Sequence, residues 1–149
     1  NNNIEFAGVN SRLDSIHAEV LNYRLKNLKK VISTKRKNVN LYKKLIRSDS
    51  VKILDEKKYE KNSHSMFVTL CERRDSLQKY LQKFGIETRV YYKTPLHLYE
   101  ANKSLGFKKG SFPKAENFSN KFLSFPYHQY LNKKEIKYVC GKVNNFYKL

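Results

Sequence analysis

The chain has 149 residues and is strongly basic, with 31 Lys and Arg residues against 13 Asp and Glu residues and a formal net charge of +18. Hydrophobic residues make up 40% of the chain, which excludes a disordered tail and allows one domain with a buried core. No run of about 18 apolar residues occurs, so no transmembrane helix is predicted. The charge favours a polyanionic partner, which could be nucleic acid, an anionic membrane or a phosphate-bearing substrate.

The first long stretch of the chain predicts a helix against which the rest packs. Apolar residues recur at spacings of three and four between Leu13 and Ile32, which places them on one helical face. Asn10 or Ser11 stands where an N-cap belongs. We therefore expect a long N-terminal helix of about six turns.

A basic run without any acidic residue follows, from Arg24 to Arg47. Apolar residues continue through it at helical spacing, which predicts a second helix or a continuation of the first one bent near Ser33 and Thr34. Two interpretations of the basic residues stay open. They form either a solvated helix face or a face that docks nucleic acid.

The rest of the chain predicts a small sheet covered by helices. Strands are expected at residues 51–54, 64–70 and 86–92, and helices at 73–84, from 112 onwards, and at 133–147. Gly85 would end the helix at 73–84 as a C′ glycine. The helix that opens at 112 would face inward with Phe118, Phe122 and Leu123. The inner face of the helix at 133–147 would consist of Ile136, Val139, Cys140, Val143 and Phe146. The predicted fold class is α+β, with a three- to four-stranded sheet and a long N-terminal spine helix.

The sequence contains few residues that suggest catalysis. It has no Gly-rich phosphate loop, no HExxH pattern and no recognisable Ser-His-Asp arrangement. The histidines are scattered and Cys71 and Cys140 stand alone, so no metal site is predicted and both thiols are interpreted as packed core groups. Isolated cysteines are typical of a reducing compartment, and we expect a cytoplasmic location.

Three residues are candidates for binding. Arg12 lies beside a predicted helix N-terminus, where a cation is unfavourable unless an anion docks there. The alternatives are that Arg12 is solvated and that Asn10 is a plain N-cap. His97 follows the strand predicted at 86–92, and it is interpreted either as a substrate contact or as an imidazole that anchors its loop.

The order of motifs resembles the DegT/StrS family of sugar aminotransferases. The matching segments cover nearly the whole chain and are Gly8-x-Asn10-x-Arg12-Leu13-Asp14, Arg36, Tyr42 with Leu45, His64-x-x-Phe67-Val68, Arg74-Asp75, Gly85-Ile86-x-Thr88-x-Val90-x-Tyr92, Pro95-Leu96-His97-Leu98, Phe112-Pro113-x-Ala115-Glu116 and Leu123-Ser124-Phe125-Pro126. The resemblance implies the C-terminal small domain of a fold-type I aminotransferase, which uses pyridoxal 5′-phosphate and works as a homodimer with shared active sites. Residues 1–48 would be a long inter-domain helix segment and residues 49–149 the small α+β domain.

The resemblance also implies roles for single residues. Asn10 matches the family's asparagine that reaches the cofactor phosphate of the neighbouring subunit, and Arg12 matches a residue near the phosphates of a nucleotide-sugar. Tyr92 and His97 match positions on the substrate side. Tyr91 departs from the family pattern, since members often have His there. No lysine lies in a motif that matches the cofactor lysine, so we expect this chain alone to be inactive.

The leading hypothesis is the C-terminal domain of an enzyme that transfers an amino group, with glutamate as the expected donor, to a nucleotide-linked keto-sugar. The amino sugar would enter surface polysaccharide or another glycan. The chain begins without methionine, and we expect it to be part of a longer protein. One alternative is a basic nucleic-acid-binding or regulatory module without catalysis, although nucleic acid and membrane are not the partners that the resemblance implies. Another is a dimerisation or packing domain with no ligand of its own.

Overall fold

The structure is a computed structural model that describes residues 13–148. Its elements are α1 (Ser15–Leu45), β1 (Val51–Ile53), β2 (Val68–Cys71), α2 (Arg74–Lys83), α3 (Pro113–Lys121), β3 (Phe122–Ser124) and α4 (Lys133–Lys148), with 3₁₀ helices at Leu96–Leu98 and Glu100–Leu105 between α2 and α3. The three strands form one antiparallel sheet in the order β1-β2-β3. The predicted α+β class, with a small sheet and a long N-terminal helix, is confirmed.

The central strand β2 fixes the register of the sheet. Cys71 pairs with Val51 on one side, and Val68 pairs with Ser124 on the other. Thr69 is fully buried and its hydroxyl donates to the carbonyl oxygen of Leu123 at 2.8 Å. This bond satisfies a polar group that would otherwise be costly inside the core.

The core lies between the sheet, α2, α4 and the second half of α1. Helix α4 supplies the inward face that its spacing predicted, and Ile136, Val139, Cys140 and Val143 are all buried. From α1, Val39 and Tyr42 enter the same cluster. The second half of α1 is therefore an integral part of the core.

Helix α1 is one continuous helix of 31 residues, about 46 Å long at 1.5 Å per residue. The structure thus decides between the two predicted forms in favour of a single helix. It begins at Ser15 with Asp14 as N-cap, so the predicted start after Asn10 or Ser11 is wrong. Asn10 and Ser11 themselves lie outside the described residues.

The first half of α1 leaves an apolar face exposed. Every residue from 19 to 30 is exposed to solvent. The exposed large apolar side chains of this half are Ile16, Val20, Leu21, Tyr23, Leu25 and Leu28. No helix in the described range is long and apolar enough to cross a bilayer.

Three further predicted elements differ from the structure. The strand predicted at 64–70 begins only at Val68, because His64 has φ +49°, outside the extended region. Residues 86–92 do not form a strand, because only Arg89 reaches the sheet, where it exchanges two backbone hydrogen bonds with Ser124. The inward face predicted for the helix that opens at 112 is wrong in part. The helix ends at Lys121, and Leu123 is buried from β3 because it pairs with Thr69, while Phe118 stays partly exposed. Gly85 has φ +70°, as the predicted C′ position requires.

Candidate functional site

Two concave regions lie on either side of Tyr91. One is a broad groove of about 870 Å³ that runs between α1, the residues after β3, and α4. The other is a cavity of about 580 Å³ between residues 91–112 and α3. Both volumes fall in the range of small-molecule sites, which is about 300–1,000 Å³. Tyr91 belongs to the lining of both regions, so a single ligand could contact both.

The groove has an excess of positive charge. Its lining includes Lys35, Arg89 and Lys134, with Glu87 and Glu135 as the opposing carboxylates. Both carboxylates are engaged. Glu87 is ion-paired with Arg89, and Glu135 accepts the backbone N–H of Asn132, the residue before α4, at 2.8 Å. Within the described residues neither lysine is paired with a carboxylate, so the groove is suited to an anionic group.

The cavity is apolar and rich in aromatic rings. Its described lining contains no Lys, Arg, Asp or Glu. The residues that form it are Tyr91, Tyr92, Thr94, Pro95, Leu96, His97, Asn102, Leu105, Phe107, Phe112, Ala115, Phe118, Ser119 and Phe122. Tyr92 is 64% exposed, so its ring is free to contact a ligand. Such a lining favours a neutral ligand with apolar faces.

His97 is a buried anchor at one wall of this cavity. Its side chain is only 7% exposed, and its Nε2 lies 3.0 Å from Oε1 of Glu116. The ring also makes an edge contact with Phe112, with centroids 4.9 Å apart. This geometry supports the loop-anchoring interpretation, although His97 still contributes to the cavity wall that the resemblance places on the substrate side.

Glu116 connects His97 to the turn that precedes α3. Its two carboxylate oxygens accept the backbone N–H of Gly110 at 2.8 and 3.0 Å, and Oε1 also accepts the N–H of Phe112 at 3.3 Å. Burial alone would raise the pKa of Glu116, but the bonds from Gly110, Phe112 and His97 together hold that pKa below its ordinary value. Glu116 was not predicted as a site residue, although it ends the motif Phe112-Pro113-x-Ala115-Glu116.

A second polar cluster lies apart from the cavity and fastens residues 55–64 to α1. The guanidinium of Arg36 donates to both oxygens of Glu56 at 2.8 Å and to the carbonyl oxygen of Asn62 at 2.7 Å. His64 is buried beside them, with Nε2 3.7 Å from Glu56. Arg36 and Glu56 satisfy one another through two hydrogen bonds and His64 packs beside them, so this cluster has a structural role.

The described residues do not form a complete site for a metal or for pyridoxal phosphate. No group of three His, Cys, Asp or Glu side chains in residues 13–148 is placed to hold a metal ion. The lysines that line the groove lack a nearby free carboxylate that could pair with a pyridinium nitrogen, because Glu87 and Glu135 are engaged. Asn10 and Arg12 lie outside the described part. A cofactor would therefore need residues from elsewhere.

Comparisons with known proteins identify the family. The sequence profile described as the DegT/DnrJ/EryC1/StrS aminotransferase family matches residues 1–144. The chain belongs to this family. The resemblance seen in the motifs is thereby confirmed, and the family is one of sugar aminotransferases.

Individual members of the family share both sequence and fold with this DegT-family chain. It is 33% identical over 144 residues to the "Pleiotropic regulatory protein" of Geobacillus stearothermophilus, covering 95% of this chain and 39% of that protein. It is 26% identical over 141 residues to the dTDP-3-amino-3,6-dideoxy-alpha-D-galactopyranose transaminase of Aneurinibacillus thermoaerophilus, covering 95% and 38%. The structure of S. venezuelae DesV with a ketimine intermediate superposes with a TM-score of 0.90 at 28% identity, covering 97% of this chain and 39% of DesV.

The chain thus spans about two-fifths of the length of the relatives it matches. The activity of these relatives belongs to much longer proteins. This DegT-family chain shares with them one α+β portion that includes the cavity and the groove.

Proposed function

We propose that this chain is the C-terminal domain of a pyridoxal-phosphate-dependent aminotransferase that acts on a nucleotide-linked keto-sugar. The observation that carries the proposal is the family match over residues 1–144. Relatives of this chain include proteins that are named as dTDP-amino-sugar transaminases. Glutamate would be the amino donor, and the product would serve a polysaccharide or another glycan. The protein would work in the cytoplasm.

The two concave regions support this function through their chemistry. A nucleotide-sugar has an anionic diphosphate and, next to it, a sugar ring with apolar C–H faces. The groove offers unpaired lysines at Lys35 and Lys134 for an anionic group, and the cavity offers aromatic faces such as Tyr92 for the ring. Tyr91 lines both regions, so a substrate whose diphosphate is bonded directly to its sugar could occupy both at once.

The remaining roles follow the family pattern. Asn10 would contact the cofactor phosphate of the partner subunit in a homodimer, and Arg12 would contact the phosphates of the nucleotide-sugar. Tyr92 would line the substrate side, and His97 would support it from the cavity wall. Residues 1–48 would form the inter-domain segment and residues 49–149 the small domain.

The exposed face of α1 agrees with a place in a larger protein. Ile16 is 79% exposed and begins an apolar face that continues along the first half of α1. A continuous apolar surface of this kind is typical of a region that contacts another protein surface. A longer protein could cover this face with its other domain. The catalytic lysine would also come from that domain, so the 149-residue chain alone would be inactive.

The proposal is tested first by the intact mass of the protein as its own cell produces it. We expect a species far heavier than 17.7 kDa that retains a pyridoxal adduct on a lysine upstream of these residues after borohydride reduction. A natural product that consists of these residues alone, with no adduct, would refute the proposal.

The site residues are tested in the full-length dimer. Arg12→Ala is expected to raise KM for the nucleotide-sugar while the cofactor absorbance stays near its original level, because Arg12 is assigned to the substrate phosphates. Asn10→Ala is expected to weaken cofactor binding. Arg47→Ala is a matched control, since Arg47 is an exposed arginine that lies beyond the apolar face of α1. Kinetics and cofactor loading that are unchanged in both Arg12→Ala and Asn10→Ala would refute the site assignment.

A further inference from the structure

The solvent side of α1 carries a row of lysines. Five helical turns separate Lys26 from Lys44, so these two side chains leave the helix in the same direction. Lys29, Lys30 and Lys37 lie within about 60° of that direction. We call this side the lysine face. Its residues are all exposed and follow the helical spacing of three and four: Lys26, Lys29, Lys30, Ser33, Lys37, Asn40 and Lys44.

The positive charge of the lysine face has no neighbouring acid to neutralise it. No Asp or Glu occurs between residues 20 and 48, and the acid that precedes this face on the same side of α1 is Glu19. Within residues 13–148 none of the lysines of this face makes an ion pair, whereas Lys43, on another side of the helix, pairs with Asp55 at 2.7 Å. The lysine face is therefore a straight cationic row about 27 Å long.

The lysine face points away from the core and from the groove. Val39 and Tyr42 bury the opposite side of α1 in the core, and Lys35 lines the groove from that opposite side. The exposed apolar face of the first half, which includes Leu21 and Leu28, also points away from the lysine face. A domain that covers the apolar face would therefore lie on the other side of α1 from these lysines.

A flat anionic surface is the partner that fits the lysine face. A straight row can meet a plane along its whole length, whereas the phosphates of a duplex follow a curved path and meet only part of the row. Proteins that bind single-stranded nucleic acid add aromatic stacking, and the lysine face has no aromatic residue. It has no apolar residue either, so contact with a bilayer would involve the lipid headgroups without insertion between the acyl chains.

We propose that the lysine face is a docking surface for the anionic headgroups of a lipid bilayer, with α1 lying parallel to the membrane plane. The inference goes beyond the proposed function and does not depend on it. Each lysine near an anionic leaflet strengthens binding about fivefold, so the lysines of this face together favour such a surface over a neutral one by on the order of a thousandfold. Because nothing inserts into the bilayer, this binding is reversible and weakens as salt screens the charges.

Sedimentation with lipid vesicles tests the docking in the full-length protein. The vesicles contain phosphatidylglycerol and phosphatidylcholine in a ratio of about one to two, and vesicles of phosphatidylcholine alone are the neutral reference. We expect binding only to the anionic vesicles at about 0.1 M salt, and a decrease of at least about tenfold at about 0.5 M salt. Absence of binding to the anionic vesicles at about 0.1 M salt would overturn the proposal.

Substitutions on the lysine face test whether it is the contact. The triple variant Lys30→Gln, Lys37→Gln and Lys44→Gln is expected to bind anionic vesicles about a hundredfold more weakly. Glutamine is a good helix former, so α1 should persist, and circular dichroism at 222 nm checks this. Arginine at the same three positions keeps the charge and is expected to retain binding.

A matched control removes the same amount of charge from another part of the surface. It replaces three lysines by glutamine in the turn before α3 and in α3 itself, where the side chains are exposed and outside the ion pairs of the described residues: Lys108, Lys109 and Lys114. Charges farther than a Debye length from the bilayer are screened, so this control is expected to change binding by less than about threefold.

The other results would each overturn a stated part of the proposal. Equal weakening in the triple glutamine variant and in the control would overturn the lysine face as the contact, and so would equal weakening in the arginine and glutamine variants. Tighter binding to a DNA duplex or an RNA strand than to vesicles of equal phosphate concentration, lost in the triple glutamine variant, would make nucleic acid the partner instead. Absence of aminotransferase turnover would refute the proposed function, while vesicle binding would still decide the role of the lysine face.

Discussion

Tyr42 provides a test of how polar groups affect the stability of this core. Its side chain is fully buried between Phe67 and Phe125, with ring centroids 5.2 and 6.0 Å away, and its hydroxyl has no hydrogen-bond partner among the described residues. Burial also raises the pKa of Tyr42, so the group stays neutral. A buried hydroxyl without a partner costs about 1–3 kcal/mol of folding free energy. Tyr42→Phe keeps the ring contacts and removes this cost.

We therefore expect Tyr42→Phe to increase the free energy of unfolding by about 1 kcal/mol, the lower end of that range because the space left by the oxygen is not refilled. In a chain of this size such a change corresponds to about 2–4 °C in Tm. Urea unfolding followed by circular dichroism at 222 nm measures it. Tyr147→Phe is the matched control, because the hydroxyl of Tyr147 donates to the carbonyl oxygen of Glu72, and its removal should lower the free energy of unfolding by about 0.5–1.5 kcal/mol.

Both variants remove one tyrosine hydroxyl, so the sign of the change in the free energy of unfolding shows whether that hydroxyl was stabilising. A loss of 1 kcal/mol or more in Tyr42→Phe would show that the Tyr42 hydroxyl has a partner, such as an internal water molecule, and would refute the reasoning. An unchanged free energy of unfolding in Tyr147→Phe would mean that the hydrogen bond to Glu72 is unimportant for stability.

Two further predictions concern the rest of the fold. Burial lowers the pKa of His64 although Glu56 opposes this shift, so below about pH 6.5 the unfolded chain binds a proton that the folded chain does not, and the free energy of unfolding should fall as the pH drops from 7.0 to 5.5. His64→Asn, which suits the positive φ of this residue, should weaken this pH dependence in urea titrations at the two pH values. A pH dependence equal to that of the original protein would contradict the assignment to His64. Ile136→Ala should lower the free energy of unfolding by about 2–5 kcal/mol, since Ile136 is fully buried. The control is Lys137→Ala at the exposed neighbouring position, which should change the free energy of unfolding by less than about 0.5 kcal/mol. Similar losses in both variants would contradict the position of α4 in the core.

The helices were more predictable than the strands because their period is repeated many times. Helix α4 places four buried side chains at helical spacing over two turns, and its start, its end to within one residue and its inner face were predicted. Strand β3 has only three residues and directly follows α3, so no alternation is available to separate the two states. Residues 86–92 have strand-like composition, yet pairing needs a neighbouring strand along their length, and only Arg89 finds one in Ser124.

The candidate site was predictable in part for a similar reason. Tyr92 and His97 stand close together in the sequence and lie in the same cavity. Glu116 was missed because its contacts reach back 19 residues to His97 and six residues to Gly110, and such contacts leave no periodic signal. The pairing of Arg36 with Glu56 was missed for the same reason, since it spans 20 residues.

The exposed first half of α1 implies two levels of stability within one helix. Around Val39 and Tyr42, backbone amides are held by the core and should open only when the whole domain unfolds. Between residues 19 and 30 the side chains are all exposed, so helical order there depends on local propensity, which is marginal for about 12 to 15 residues. The helix between residues 19 and 30 should therefore open and close much faster than the whole domain unfolds. When a surface covers Ile16 and Leu25, the free energy of binding would have to offset the conformational entropy lost in ordering this segment. Helix formation and association would therefore be thermodynamically linked.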